Sequence, residues 1–367
     1  MAVAVAAGCA PRYQATPSSW SLVVGTVSGK DVRARAGLAP GAGILWESDA
    51  DQKRELDAVA ATGAKWTTLD VDWNSIQGDG PLSFRWDRGL DRAVLNMRAH
   101  GLTILGVAAY SPPWARGASC PAGELHCLPA NPDDYARFMA AAAQRYGSQS
   151  ANPLLRGSIT SWQIWNEPNH QPYAEPKPNL DAYTALLKAA YRSIKFVDPH
   201  ATVVTGGTAP APDAADGTDY QPETWLRGLY ARGAKGSFDA VGHHPANYPG
   251  IPVEPHPWNA YTNTTKLHDI MAIYGDGAKQ VWGTEISAPT GTSSQALTEA
   301  EQAEHVRDYY LGWNTQLRAI TGPLIWMPLR DAGTNRAARD ENLGLVRRDY
   351  SPKAGYTMFK LVMTAGV

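Results

Sequence analysis

Two glutamates stand directly behind strand-like apolar runs. The segment SITSWQIWNEPN closes on Asn166-Glu167-Pro168, and KQVWGTEISAP brings Glu285, 118 residues further on. A carboxyl that follows WQIW or VWGT belongs at the wall of a largely apolar pocket, where desolvation raises its pKa. Two carboxyls facing one cleft can divide the work of glycoside hydrolysis. One protonates the leaving oxygen while the other attacks the sugar or activates water. An isolated Asn-Glu-Pro has a plainer reading, a turn whose Glu caps the next segment. Strict strand alternation sends Asn166 and Glu167 to opposite faces, so both reach one cleft only if the strand bulges or turns near Pro168.

Asp70 and Asp72, with His243 and His244, raise the question of a metal. The His-x-His of metal-dependent barrel hydrolases is absent, and adjacent histidines on a strand face opposite ways. No metal and no cofactor are expected. Asp72 and Trp73 line a sugar subsite on one reading; on the other, Asp70 and Asp72 simply pair with nearby arginines.

The elements that must position these residues alternate from about residue 38 onward. Helix-period segments run from Asp49 to Thr62, from Asp87 to Gly101 and from Asn131-Pro132 to Gly147. The next shows apolar positions 183, 186, 187, 190, 191 and 194 on one face. Further helices are expected at Pro222–Ala231, around Leu267–Tyr274, after a Thr298/Glu301 capping box, and after Ser351-Pro352. Between them lie strand-like runs at Lys65–Asp72, Leu102–Ala109, Ile159–Trp165, Thr202–Gly206, Asp239–Gly242, Gln280–Thr284 and Pro323–Met327. A first strand falls within Arg35–Leu45 or at Leu22–Val27. Eight strand–helix units in roughly 330 residues imply an α/β fold, a single (β/α)8 barrel. No G-x-G-x-x-G follows a strand and no P-loop occurs, so a doubly wound nucleotide-binding sheet has no support. Residues 1–34 then form an N-terminal tail and 35–367 the barrel. Catalysis in such a barrel sits at the C-terminal ends of the strands, where Glu167 and Glu285 fall.

With these motifs in these positions, the chain resembles glycoside hydrolase clan A, closest to its cellulase-like and β-xylosidase-like members. The resemblance implies a retaining glycosidase for β-linked glycans, with Glu167 as acid/base on strand four and Glu285 as nucleophile on strand seven. It implies that Asn166 holds the sugar 2-hydroxyl. His244 is similar to the strand-six His of those enzymes, and Trp326 to the strand-eight Trp that floors their cleft. Tyr110-Ser111-Pro112-Pro113-Trp114 is similar to their strand-three end. Two positions depart from the pattern. Strand two carries Thr68 where relatives usually have an Arg that orients the nucleophile, and Arg330 is the candidate replacement. After His244-Pro245 the chain has Ala246 and reaches an aromatic only at Tyr248. A carbohydrate-binding barrel that has lost catalysis is the competing reading, motivated by the missing Arg. Trp114 and Trp258, in Pro-rich loops of the active face, are expected to stack on sugar. Trp162, Trp282 and Trp313 read as packing.

Composition agrees with a cleft that handles sugars but does not demand one. There are 13 Trp and 16 Tyr against 5 Phe, and rings with a polar edge suit half-wet surfaces. Net charge is −2 with no basic block, which leaves nucleic acid and anionic membranes without support. No run of 18 apolar residues occurs. Cys120 and Cys127, seven apart in SCPAGELHC, could be metal ligands, but no second pair accompanies them. A loop-stapling disulfide fits better and implies an oxidising compartment. Met1–Cys9, MAVAVAAGC, resembles the tail of a bacterial lipoprotein signal, which would make Cys9 a lipid anchor. It lacks a basic n-region, and the alternative is an ordinary N-terminal segment. The expectation is a secreted or cell-surface monomer acting on an oligo- or polysaccharide.

Overall fold

Short polar caps start the helices where the sequence places them. In the computed structural model of the protein, which describes residues 28–250, 252 and 259–365, Asn131 Oδ1 accepts from the Asp133 amide and Pro132 occupies the first turn. Thr298 and Glu301 form the reciprocal capping box. The resulting elements are α1 (Gly29–Arg33), β1 (Ala36–Leu38), α2 (Asp49–Ala60), β2 (Trp66–Asp72), α3 (Trp73–Gln77), α4 (Leu90–Ala99), β3 (Thr103–Ala109), α5 (Pro132–Tyr146) and β4 (Ile159–Asn166). They continue with α6 (Leu180–Val197), β5 (Thr202–Gly207), α7 (Pro222–Ala231), β6 (Ala240–His243), α8 (Ala260–Ile273), β7 (Gln280–Ile286), α9 (Glu299–Asn314), β8 (Thr321–Trp326) and α10 (Ala354–Ala365). All neighbouring strands pair in parallel, and β1 meets β8 to close an eight-stranded barrel.

The first strand is Ala36–Leu38; Leu22–Val27, like Met1–Cys9 and Trp258, lies outside the described residues. Helix α8 begins seven residues before the expected Leu267. Its first two turns, AYTNTT, are too polar to show a 3.6 period, but Asn259 Oδ1 accepts from the Tyr261 and Thr262 amides and starts the helix there.

Two apolar layers result. The larger fills the space between strands and helices and includes Leu69, Val71, Ile164, Trp162 and Trp313. The smaller plugs the barrel itself: Ala39, Leu105, Val204, Ala240, Trp282 and Ile325, with Trp66 and Met327 packed on it. Trp66 and Trp282 meet edge to face at 5.4 Å. Along β2 the alternation is plain. Trp66 faces the plug, Leu69 and Val71 face the helices, and Asp70 therefore comes back to the inside near the strand's C-terminal end.

Candidate active site

Backbone strain gathers where β3 and β4 end. Tyr110, Trp165 and Glu167 have φ of 72°, 71° and 42°, left-handed values that are outliers for bulky side chains. In β4 this breaks the alternation. Ile164 packs toward the helices, and Trp165 turns the same way, against Tyr135 of α5. Asn166 and Glu167 follow, the strand stops before Pro168, and the expected irregularity is present. Glu167 Oε1 accepts a 2.8 Å hydrogen bond from His244 Nδ1, one residue past β6. Gln163 Nε2 lies 3.5 Å from Asn166 Oδ1.

A second irregularity delivers Glu285. Between Gly283↔Leu324 and Ile286↔Trp326, β7 advances three residues while β8 advances two. The extra residue is a bulge. It lets Trp282 fill the plug and Glu285 still reach the mouth above it. Gly207 of β5 completes the wall by having no side chain. A Cβ there would lie 2.3 Å from His244 Nε2 and 2.5 Å from Thr284 Oγ1.

The charges are arranged around one cation. Burial raises the pKa of Glu285, the positive charge of His244 lowers it, and the negative charge of Glu167 raises it again, the net being upward. Burial disfavours the His244 cation, but Glu285 and the hydrogen bond to Glu167 outweigh that, and its pKa rises. Burial, with Asp72 and Glu285 nearby, pushes Asp70 up to about 7. His243 faces the other way. Its ring contacts Ala260 O at 2.9 Å and Thr208 Oγ1 at 3.0 Å, and burial lowers its pKa to about 4. The two histidines therefore cannot share a ligand. Among the described residues no group of three or more His, Cys, Asp or Glu could hold a metal ion.

The other expected site residues divide. Tyr110 and Tyr248 are at the mouth: burial raises the pKa of each and the charge of Glu285 adds to it, while at Tyr248 the nearby Arg339 cation works the other way. Trp114 is half-buried and donates through Nε1 to Gln77 O at 2.7 Å. Asp72 caps α3, accepting from the Ser75 amide and hydroxyl, so it pairs with no arginine, though its charge reaches Asp70 and Tyr110. Trp73, expected in a sugar subsite, is fully buried among Trp114, Tyr135 and Phe138. Trp326, expected to floor the cleft, is also fully buried. The β8 residues facing the plug are Ile325 and Met327, so Trp326 falls on the outer face, against Tyr309 of α9. Arg330 does not orient Glu285 but ion-pairs with Glu47 and Glu55 at 2.6 and 3.0 Å.

Two mouth residues escaped the sequence reading. Tyr173, in the loop after β4, has its pKa pushed up to about 12 by burial and by the charges of Glu167 and Glu285. His126 packs between Tyr110 (5.1 Å) and Tyr173 (5.3 Å). The Cys120–Cys127 disulfide is formed, and its loop is tied to the β4 loop by the Glu175 amide on His126 O. The cysteine pair was the available signal: a staple beside a strand-three loop fixes what lies next to Cys127.

No family model and no curated protein matches the sequence. Solved structures do match. A family 39 glycoside hydrolase from Bacteroides cellulosilyticus WH2 aligns at 20% identity over 93% of this chain, with a TM-score of 0.71. This chain spans 65% of that protein's length. A monomeric beta-xylosidase from Caulobacter crescentus CB15 aligns at 16% identity over 93% of this chain and 70% of its own, TM-score 0.66. Xylanase 10B from Thermotoga maritima aligns at 14% identity over 92% and 98%, TM-score 0.60. These are barrel glycosidases of the kind the sequence resembles, and what the likeness establishes for this chain is their fold.

Proposed function

We propose that the protein is a retaining glycoside hydrolase that cleaves a β-linked glycan with Glu285 as nucleophile and Glu167 as acid/base. The observation that carries this reading is the His244 bridge. One imidazole is hydrogen-bonded to Glu167 and electrostatically coupled to Glu285, so both carboxyls address one small volume at the C-terminal mouth of the barrel. A carboxylate oxygen of Glu285 attacks the anomeric carbon as the bond to the departing oxygen breaks, and Glu167 gives that oxygen its proton. Glu167 then takes a proton from water, whose oxygen displaces Glu285 and releases the sugar with its configuration retained. The carboxyl separation that suits this course is about 5–5.5 Å. The disulfide favours an oxidising compartment and so a secreted or surface-held enzyme, monomeric and needing no cofactor.

An aryl 2-fluoro glycoside tests the assignment. Labelling of Glu285, with Glu285→Gln inactive and Glu167→Gln slowed most on poor leaving groups, is the expected result. Saccharide binding with no labelling and no turnover on a broad aryl-glycoside panel would instead mark a barrel that binds without cleaving.

A further inference from the structure

Asp70, half-buried on the inner face of β2, is treated differently from the fully buried carboxyls of this protein. Glu55 has Arg330 and the Gly41 amide, Asp331 has Lys353 and the Gly344 amide, Asp276 has Tyr230 and Lys279, and Asp198 has Ser148. Among the described residues no hydrogen bond or ion pair reaches Asp70. Its position is nonetheless well defined. It pairs in register with Val107 of β3 and lies on the inner face of β2, two residues before the strand ends. The ionisable groups that act on it or feel it are Asp72 from its own strand, Tyr110 from β3, Tyr173 from the β4 loop and Glu285 from β7. None is a cation. A half-buried carboxyl that no protein donor meets is left to solvent or to a ligand in the mouth.

We propose that Asp70 is a substrate-binding residue, whose carboxyl hydrogen-bonds a hydroxyl of the sugar ring held over Glu285 and selects neutral sugars over uronic acids. This rests on the glycosidase reading and adds the class of glycone to it. A sugar hydroxyl both donates and accepts, so it satisfies Asp70 in either protonation state. A sugar carboxylate would add a negative charge beside Asp70, Asp72 and Glu285, while the two cations of the mouth are already engaged, His244 with Glu167 and Arg339 with Asp340. Thr68 fits the same arrangement: with no arginine on the inner face of β2, the enclosure stays electronegative.

The test uses the full-length protein, neutral aryl glycosides, their monodeoxy analogues and the matching aryl uronides. The wild type should cleave the neutral sugars and ignore the uronides. Asp70→Ala and Asp70→Asn should each lose about 10- to 100-fold in kcat/KM, mainly through KM. One deoxy analogue, slow with the wild type, should show little further loss with Asp70→Ala, because the hydroxyl and the carboxyl are partners. Cooperative thermal unfolding of both variants excludes misfolding as the cause. Wild-type kcat/KM in Asp70→Ala, or an equal loss on every deoxy analogue, overturns the role of Asp70. If the wild type is neither labelled at Glu285 nor active on any glycoside, the glycosidase reading itself falls and this proposal with it.

Discussion

At the scale of single residues, the two carboxyls share one positive charge. His244 acts on both Glu167 and Glu285, whereas the other cation of the mouth, Arg339, acts on Tyr173 and Tyr248 and is paired with Asp340. On the proposed mechanism Glu285 must be ionised to attack, so activity should rise with pH through its raised pKa. His244 holds that pKa down. Replacing it with Gln keeps a hydrogen-bonding side chain and removes the charge. His244→Gln should therefore move the acid limb of the kcat/KM profile to higher pH and lower its plateau by about 10- to 100-fold. A profile displaced to lower pH, or not at all, would show that His244 and Glu285 are not coupled.

Among the elements, the seam of the barrel is where side chains do what strands do elsewhere. Strand β1 has three residues and a single register pair with β2, against seven between β2 and β3. The closure is reinforced from outside the ladder. Arg330, just beyond β8, reaches Glu47 and Glu55 of the β1–α2 unit, while Tyr350 donates to Glu55 and stacks beneath Arg330. Glu55 is almost wholly buried. Removing its cation leaves an uncompensated buried charge, which typically costs about 3–5 kcal/mol. Arg330→Met should lose stability of that order in urea titration, while any glycosidase activity of the folded protein keeps its KM. A changed KM with unchanged stability would return Arg330 to the substrate site.

The whole molecule carries these choices in its pH dependence of stability. Asp70 titrates near 7 when folded against an ordinary value of 3.8. Its folded form holds the proton more tightly, so its contribution is complete below about pH 4 and is lost as pH rises through 7. Asn resembles the protonated acid at every pH. Asp70→Asn should match the wild type near pH 3.8 and exceed it increasingly up to about pH 7. Paired denaturant titrations at the two ends of that range measure the difference. His243 works with the opposite sign: folded near 4 against 6.5, it contributes above pH 6.5 and loses that contribution as the solution is acidified. A protein that tolerates Asp70 at a cost in stability at neutral pH is expected to gain function from it.

Local information was enough for much of this. The caps at Asn131 and Thr298, the Pro at the first turn of α5 and the alternation of eight apolar runs with helical periods specify the barrel, because each acts within a few residues of chain. The same locality placed Glu167 and Glu285 at strand ends, set His243 and His244 back to back, and required a break in alternation at Asn166-Glu167. What the sequence left open is the phase of each strand against the barrel axis. A bulge in β7, a register shift against β8 and left-handed residues at the ends of β3 and β4 decide which side chains look inward. They arise from how neighbouring strands fit around a closed ring. That is why Trp326 and Trp73, plausible sugar platforms by position, are packed under helices, and why Arg330 is spent on the seam. Tyr173, His126 and the unpartnered Asp70 came to the mouth the same way. Pairing partners far apart in the chain are chosen by closure of the barrel, which no local pattern encodes.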